Sequence, residues 1–138
     1  MADRNELEEG ILLSIDFDKI KKIGSIDEGV VPVVVQDVKS KDVLIIAYAN
    51  REALDYSLKN KIAAFWSTSR NELWIKGASS GDTLEIAEIR INCEQNSLLY
   101  LVNMLKKGSC HTKDSNGNTR HGCYYRRVTD RGLEFIDH

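Results

Sequence analysis

Three cysteines stand at positions 93, 110 and 123, with the spacing C-x16-C-x12-C. In a reducing compartment such thiols serve as small core residues, nucleophiles or metal ligands. No tight C-x-x-C pair is present, whereas a structural zinc site normally closes four protein ligands. Three thiolates on one zinc would leave a coordination position open, and water held there ionises near neutral pH. Cys110-His111 and His121-x-Cys123 set two imidazoles beside these thiols in sequence. Either could close the site as a fourth ligand, or serve as a general base. The plainer alternative is that each cysteine packs as a buried small hydrophobe.

A second group of candidates is Asn92-Cys93-Glu94-Gln95-Asn96. If extended, it places Asn92, Glu94 and Asn96 on one face and Cys93 on the other. Oxygen donors of this kind suit a hard cation such as Mg2+. A polar strand end running into a turn is the more ordinary reading. Third come Trp66, Ser67 and Arg70, then Trp74, Lys76, Ser79 and Ser80 before Gly81. Hydroxyls, cations and a glycine-bounded loop can hold a phosphate, and two indoles can wall a purine. An everyday hairpin with a basic rim would read the same way. Finally, residues 105–131 carry seven Lys/Arg, Arg126 and Lys107 among them, against Asp114 and Asp130. Such a stretch attracts anions, although a solvated basic face is the commoner cause.

These residues need a scaffold. The chain has 138 residues, 42% hydrophobic and 29% charged, which places it with ordinary single-domain globular proteins. A net charge of −2 does not advertise nucleic-acid or membrane binding. No run approaches the ~18–20 apolar residues of a membrane helix, and the acidic start is unlike a secretion signal. An odd cysteine count without such a signal predicts a cytoplasmic protein.

Residues 1–10 read as a loose or marginally helical arm, and Leu13, Phe17 and Ile20 as one helical face. The β-branched run 32–38 and the apolar run 43–48 predict an antiparallel hairpin, because their link is too short for a parallel crossover. Asn50 predicts an N-cap for a helix over 51–59. Residues 63–67 and 73–76 predict short strands about a turn. Residues 83–93 predict a strand with a bulge at Ala87-Glu88, where the alternation changes phase. Residues 98–105 suit a strand or a short helix, 108–123 an irregular polar segment, and 124–128 a closing strand. The fold class is α+β: a mainly antiparallel sheet or partial barrel with one packed helix.

Taken together, the segments resemble phosphoribosyl-AMP cyclohydrolase, an enzyme family of histidine biosynthesis that opens the adenine ring. The resemblance rests on Val34-Val-Gln-Asp37, Ala47-Tyr-Ala-Asn50 with Glu52-Ala-Leu54, and Trp66-Ser-Thr-Ser-Arg70. It continues through Leu73-Trp-Ile-Lys-Gly77 with Ser80-Gly81, Cys93, Cys110-His-Thr112 and Cys123-Tyr-Tyr-Arg126. It implies an N-terminal arm over 1–30, a cyclohydrolase-like domain over 31–128 and a tail over 129–138. It further implies an intertwined homodimer with zinc held by Cys93, Cys110 and Cys123 across the subunit boundary. Three aspartates that bind Mg2+ in the family correspond here to Asn92, Glu94 and Asn96, a loss of two carboxylates. The segment between Cys110 and Cys123 is longer than usual for the family, and Ala49 stands where Met is common.

The activity so implied is hydrolysis of the N1–C6 bond of 1-(5-phosphoribosyl)-AMP, with His111 as proton shuttle. Arg70, Lys76, Ser79, Ser80 and Arg126 are the phosphate candidates, and Trp66, Ser67 and Trp74 complete the substrate-binding set. A paralogue acting on another purine nucleotide is a second reading. A module with structural zinc that binds RNA or a protein is a third, disfavoured by the acidic net charge and the absence of compact zinc-ribbon spacing.

Overall fold

The computed structural model describes residues 4–106 and 108–136; Lys107 of the basic run lies outside them. The chain forms two compact units, one over Ile26–Cys123 and one built from residues up to Ser25 with those from Tyr124 onward.

The larger unit is organised by a four-stranded sheet in the order β2-β1-β6-β5. Strands β1 (Val31–Asp37) and β2 (Val43–Ala49) form the expected antiparallel hairpin. Its turn is held by Asp37, whose carboxylate accepts from Ser40 Oγ at 2.8 Å and Lys39 N at 3.2 Å. Strand β5 (Leu84–Ile91) pairs antiparallel with β6 (Leu98–Met104), with a register shift between Ile86 and Glu88 where the bulge is expected. Residues 98–104 are therefore strand. At the centre, β1 and β6 pair in parallel, Val33 opposite Leu98. That long-range pairing leaves no local trace in sequence.

Helix α3 (Arg51–Asn60) starts at Asn50, whose side chain accepts from Ala53 N at 2.9 Å. Ala53 and Ser57 form its buried stripe. Ser57 Oγ donates to Ala53 O at 2.9 Å and accepts Ala64 N at 2.9 Å, pinning the helix to β3 (Ala64–Ser67). Strands β3 and β4 (Glu72–Ile75) make a separate hairpin with Phe65 opposite Trp74 and Trp66 opposite Leu73. The core gathers Val33, Val35, Leu44, Phe65, Leu84, Tyr100 and Val102. Within it Phe65 and Tyr100 stack at 5.6 Å between ring centroids. No barrel closes.

In the smaller unit, α1 (Arg4–Glu9) and α2 (Lys19–Gly24) accompany the hairpin β7 (Arg126–Thr129) and β8 (Gly132–Phe135). The helical face expected of Leu13, Phe17 and Ile20 does not form: only residues 19–24 are helical there, and Phe17 is 83% exposed. Asp16 explains the late start. Its side chain accepts Asp18 N at 3.0 Å and its carbonyl accepts Lys19 N at 3.4 Å, so a turn precedes the helix. The first and last described segments meet here. Leu133 N donates to Ile11 O at 2.8 Å, and Tyr125 OH to Glu8 O at 2.7 Å.

Candidate active site

The irregular segment after β6 brings two thiols together. Residues 108–112 and 119–123 run side by side. Ser109 N and Cys110 N both donate to Arg120 O at 3.1 Å, and Arg120 N donates to Thr112 O at 3.1 Å. Gly108 permits the approach, since a Cβ there would meet Arg120 O and Thr119 O at 2.5 Å. Cys123 N donates to Leu44 O at 2.7 Å, fixing the second segment against β2.

Cys110 is only 2% exposed and is hydrogen-bonded to the Cys123 thiol. Thr112 adds its hydroxyl at 3.1 Å and its backbone N–H at 3.5 Å to the Cys110 sulfur. The Cys123 hydrogen bond, opposed by burial and helped by Thr112 and the charge of His111, lowers the Cys110 pKa to about 5. Cys123, exposed by surface area yet donating its proton to Cys110, is pushed up instead. Between the two thiols, negative charge is therefore favoured on Cys110, the acceptor.

Lys76 faces this charge. Its backbone N–H donates to Ala63 O at 3.1 Å, and its side chain is buried, 6% exposed. Nζ donates to Asp82 O at 3.2 Å. Burial pushes the ammonium's pKa down, while Asp82, Cys123 and Cys110 pull it up. Lys76 is thus coupled electrostatically to the thiol pair, a link its place among phosphate candidates did not suggest.

The loop after Lys76 turns tightly. Gly77 has φ +81°, and a Cβ there would lie 2.4 Å from the Asp82 carbonyl carbon. Ser79 and Ser80 are exposed on it, and Ser80 Oγ accepts Asp82 N at 3.2 Å. Lys106 sits above Gly81, its Nζ 2.7 Å from where a Cβ would be. The sequence showed Lys106 only as one charge in a basic run; its position over this loop depends on the strand pairing before it.

Other candidates are dispersed. In the β3–β4 turn, Ser67 Oγ accepts Arg70 N at 3.3 Å, and the Arg70 side chain reaches Glu72 at 3.7 Å. Trp66 Nε1 donates to Asn71 Oδ1 at 3.1 Å. Trp74 lies on the Phe65 face of the hairpin, ring centroids 5.5 Å apart, whereas Trp66 lies on the Leu73 face. The two indoles therefore do not wall one slot. Arg126 belongs to the smaller unit, where its guanidinium donates to Leu7 O and Gly10 O at 2.9 Å and lies 5.0 Å from the Tyr125 ring centroid. His111 is exposed beside Cys110, and His121 Nε2 approaches Asp42 Oδ2 at 2.9 Å.

Cys93 is exposed in the turn between β5 and β6. Among the described residues, no three His, Cys, Asp or Glu side chains gather closely enough to hold a metal. Cys110 and Cys123 nonetheless fit zinc chemically: two adjacent sulfurs, one already anionic, are soft donors of the kind that ion prefers. The 92–96 segment does not fit magnesium. Strand β5 ends at Ile91, so the alternating arrangement is replaced by a turn. Asn92 Oδ1 accepts Asn96 N and Ser97 N, each at 2.9 Å, and Asn96 Oδ1 accepts Asn92 Nδ2 at 2.7 Å. Glu94 Oε2 accepts Asn96 Nδ2 at 3.3 Å. A single carboxylate with both amide oxygens engaged is a poor shell for a cation that demands six well-placed oxygens.

Thiols, a buried lysine and a small-residue loop on this α+β frame accompany a match to the cyclohydrolases, a class of hydrolases. The family model described as phosphoribosyl-AMP cyclohydrolase matches residues 45–125. Similar proteins carry that same name. One from Archaeoglobus fulgidus is 47% identical over 102 residues, covering 74% of this chain and 88% of its own. One from Methanosarcina acetivorans is 43% identical over 114 residues, covering 83% and 86%. One from Chlorobaculum tepidum is 38% identical over 138 residues, covering 99% and 90%. The chain belongs to the phosphoribosyl-AMP cyclohydrolase family.

Proposed function

We propose that this chain hydrolyses the N1–C6 bond of the adenine ring in 1-(5-phosphoribosyl)-AMP, a step of histidine biosynthesis. The observation that carries the reading is the hydrogen-bonded Cys110–Cys123 pair within a chain that matches this family.

In this reading Cys110 and Cys123 of one subunit and Cys93 of a second copy hold zinc. That division accords with a chain in which two thiols meet and Cys93 lies exposed in a separate turn. When bound, zinc supplies Lewis acidity that makes water a competent nucleophile near neutral pH. The buried Lys76 ammonium offsets the charge of the thiolates.

The net reaction adds water across N1–C6. Oxygen joins C6, N1 leaves with one proton of the water, and the exocyclic nitrogen, an imine in the N1-substituted ring, takes the other and stays on C6 as a carboxamide. Ribosylation at N1 has already drawn electrons from C6. His111 accepts the proton of the attacking water and returns it to N1. Ser79, Ser80 and Lys106 receive a phosphate at the glycine-bounded loop, with Arg70 on the neighbouring turn. Trp74, 37% exposed, offers an apolar plate for the base.

The test is turnover of phosphoribosyl-AMP by purified zinc-loaded protein, followed by the absorbance change on ring opening. Turnover that disappears when zinc is removed and returns with it supports the proposal. Folded, zinc-loaded protein that leaves this substrate intact and opens another N1-substituted purine nucleotide would identify a paralogue instead.

A further inference from the structure

We propose that Asn92 locks the 92–97 turn in place of a divalent cation, leaving both the turn and the enzyme's turnover independent of magnesium. For turnover this rests on the function proposed above; for the turn it does not.

Most of the hydrogen bonds that close the turn pass through one residue. Asn92 N donates to Ser97 O at 3.2 Å, and Asn92 O accepts Gln95 N at 3.0 Å. Its side-chain oxygen takes the backbone N–H groups of Asn96 and Ser97, each at 2.9 Å. Its Nδ2 then reaches Asn96 Oδ1 at 2.7 Å, and Asn96 Nδ2 continues to Glu94 at 3.3 Å. Gln95 takes a left-handed conformation, φ 54°, to allow this closure. At the mouth, Ile91 and Leu98 are paired across β5 and β6.

The chemistry of the substitution explains why no ion is needed. Three carboxylates crowded into such a turn repel one another, and a dication relieves that repulsion. With amides at 92 and 96, only one negative charge remains, and each amide contributes donors that carboxylates lack. The work of cross-linking the loop passes from metal–oxygen bonds to N–H···O bonds. Cys93, next to Asn92, is carried on this turn, so Asn92 is a positioning residue for that thiol.

The experiment uses zinc-loaded full-length protein titrated with magnesium chloride, reading the thermal midpoint and phosphoribosyl-AMP turnover separately. The native chain should show a midpoint constant within about 1 °C and an unchanged rate. The triple variant Asn92→Asp, Glu94→Asp, Asn96→Asp should melt lower without the salt and recover as it is added. Should that variant fail to fold, the single variant Asn92→Asp takes its place. A magnesium-dependent rise in the native midpoint, or native turnover that requires magnesium, would overturn the inference. Should the native protein show no turnover under either condition, the proposed function fails, and the midpoint titration still decides whether the turn takes a cation.

Discussion

The hydroxyl of Thr112 stands 3.1 Å from the sulfur of Cys110, two residues back along the same buried segment. It is one of the groups that hold that sulfur anionic. Metal binding must displace a proton from any thiol it uses, so a thiol kept as thiolate binds more tightly at neutral pH. Thr112→Val keeps the shape and removes the hydroxyl. Zinc affinity, measured by competition with a chromophoric chelator, should fall about 10–100-fold. An unchanged affinity would mean that the hydroxyl serves packing alone.

His111 is the exposed imidazole beside this pair. Its replacement by Ala should lower kcat by about 10²–10⁴-fold while zinc content by metal analysis stays the same. Loss of zinc from the variant would make His111 a ligand and remove it from the proton shuttle.

The bend after Lys76 supplies a test of how that lysine is positioned. Gly77→Ala places a methyl group against the Asp82 backbone and imposes φ +81° on an L side chain. The strain should cost about 1–3 kcal/mol. The variant should melt several degrees lower, and surviving folded protein should turn over more slowly because Asp82 O no longer anchors Lys76 Nζ. A normal rate per folded molecule would show that this anchor does not matter.

Asp37 sets an acid limit for the β1–β2 hairpin. Burial alone would raise its pKa, but hydrogen bonds from Ser40 and from the backbone of Lys39 and Ser40, with the charge of His121, win and lower it below 3.8. A carboxylate with a depressed folded pKa stabilises the fold fully above its unfolded value and loses that contribution as pH falls through the folded one. Stability attributable to Asp37 should therefore be flat above pH 3.8 and decline below it. Ser40→Ala should move the Asp37 titration, followed by side-chain NMR, to higher pH. A titration left where it was would assign the shift to the backbone donors.

Local chemistry made much of this fold legible. Asn50 is a good cap, and α3 begins there. The change of phase at Ala87-Glu88 marks a bulge, and the register shifts there. Short-range patterns succeed because the forces behind them act within a few residues. The parallel union of β1 with β6 has no such signature, since it joins segments far apart in the chain. Strand β8 escaped for a different reason: Gly132–Phe135 lies in what read as a tail and is too short for alternation to emerge. In the site, cysteine spacing gave the candidate ligands but could not say which two meet. Lys76 read as a phosphate candidate and Lys106 as one charge in a basic run, until burial of the first and the Gly77–Asp82 loop beneath the second distinguished them. The segment 92–96 read first as a polar turn and second as a cation shell, and the hydrogen-bond partners of its amides favour the turn.

The central pairing of Val33 with Leu98 has a kinetic consequence. A ribosome releases β1 and β2 long before β6 exists, so the nascent hairpin must wait with one edge unsatisfied. High contact order of this kind slows folding, and an exposed apolar edge invites association with other unfinished chains. Yield in a living cell should therefore track the supply of chaperones during synthesis more closely than the melting temperature of the finished protein.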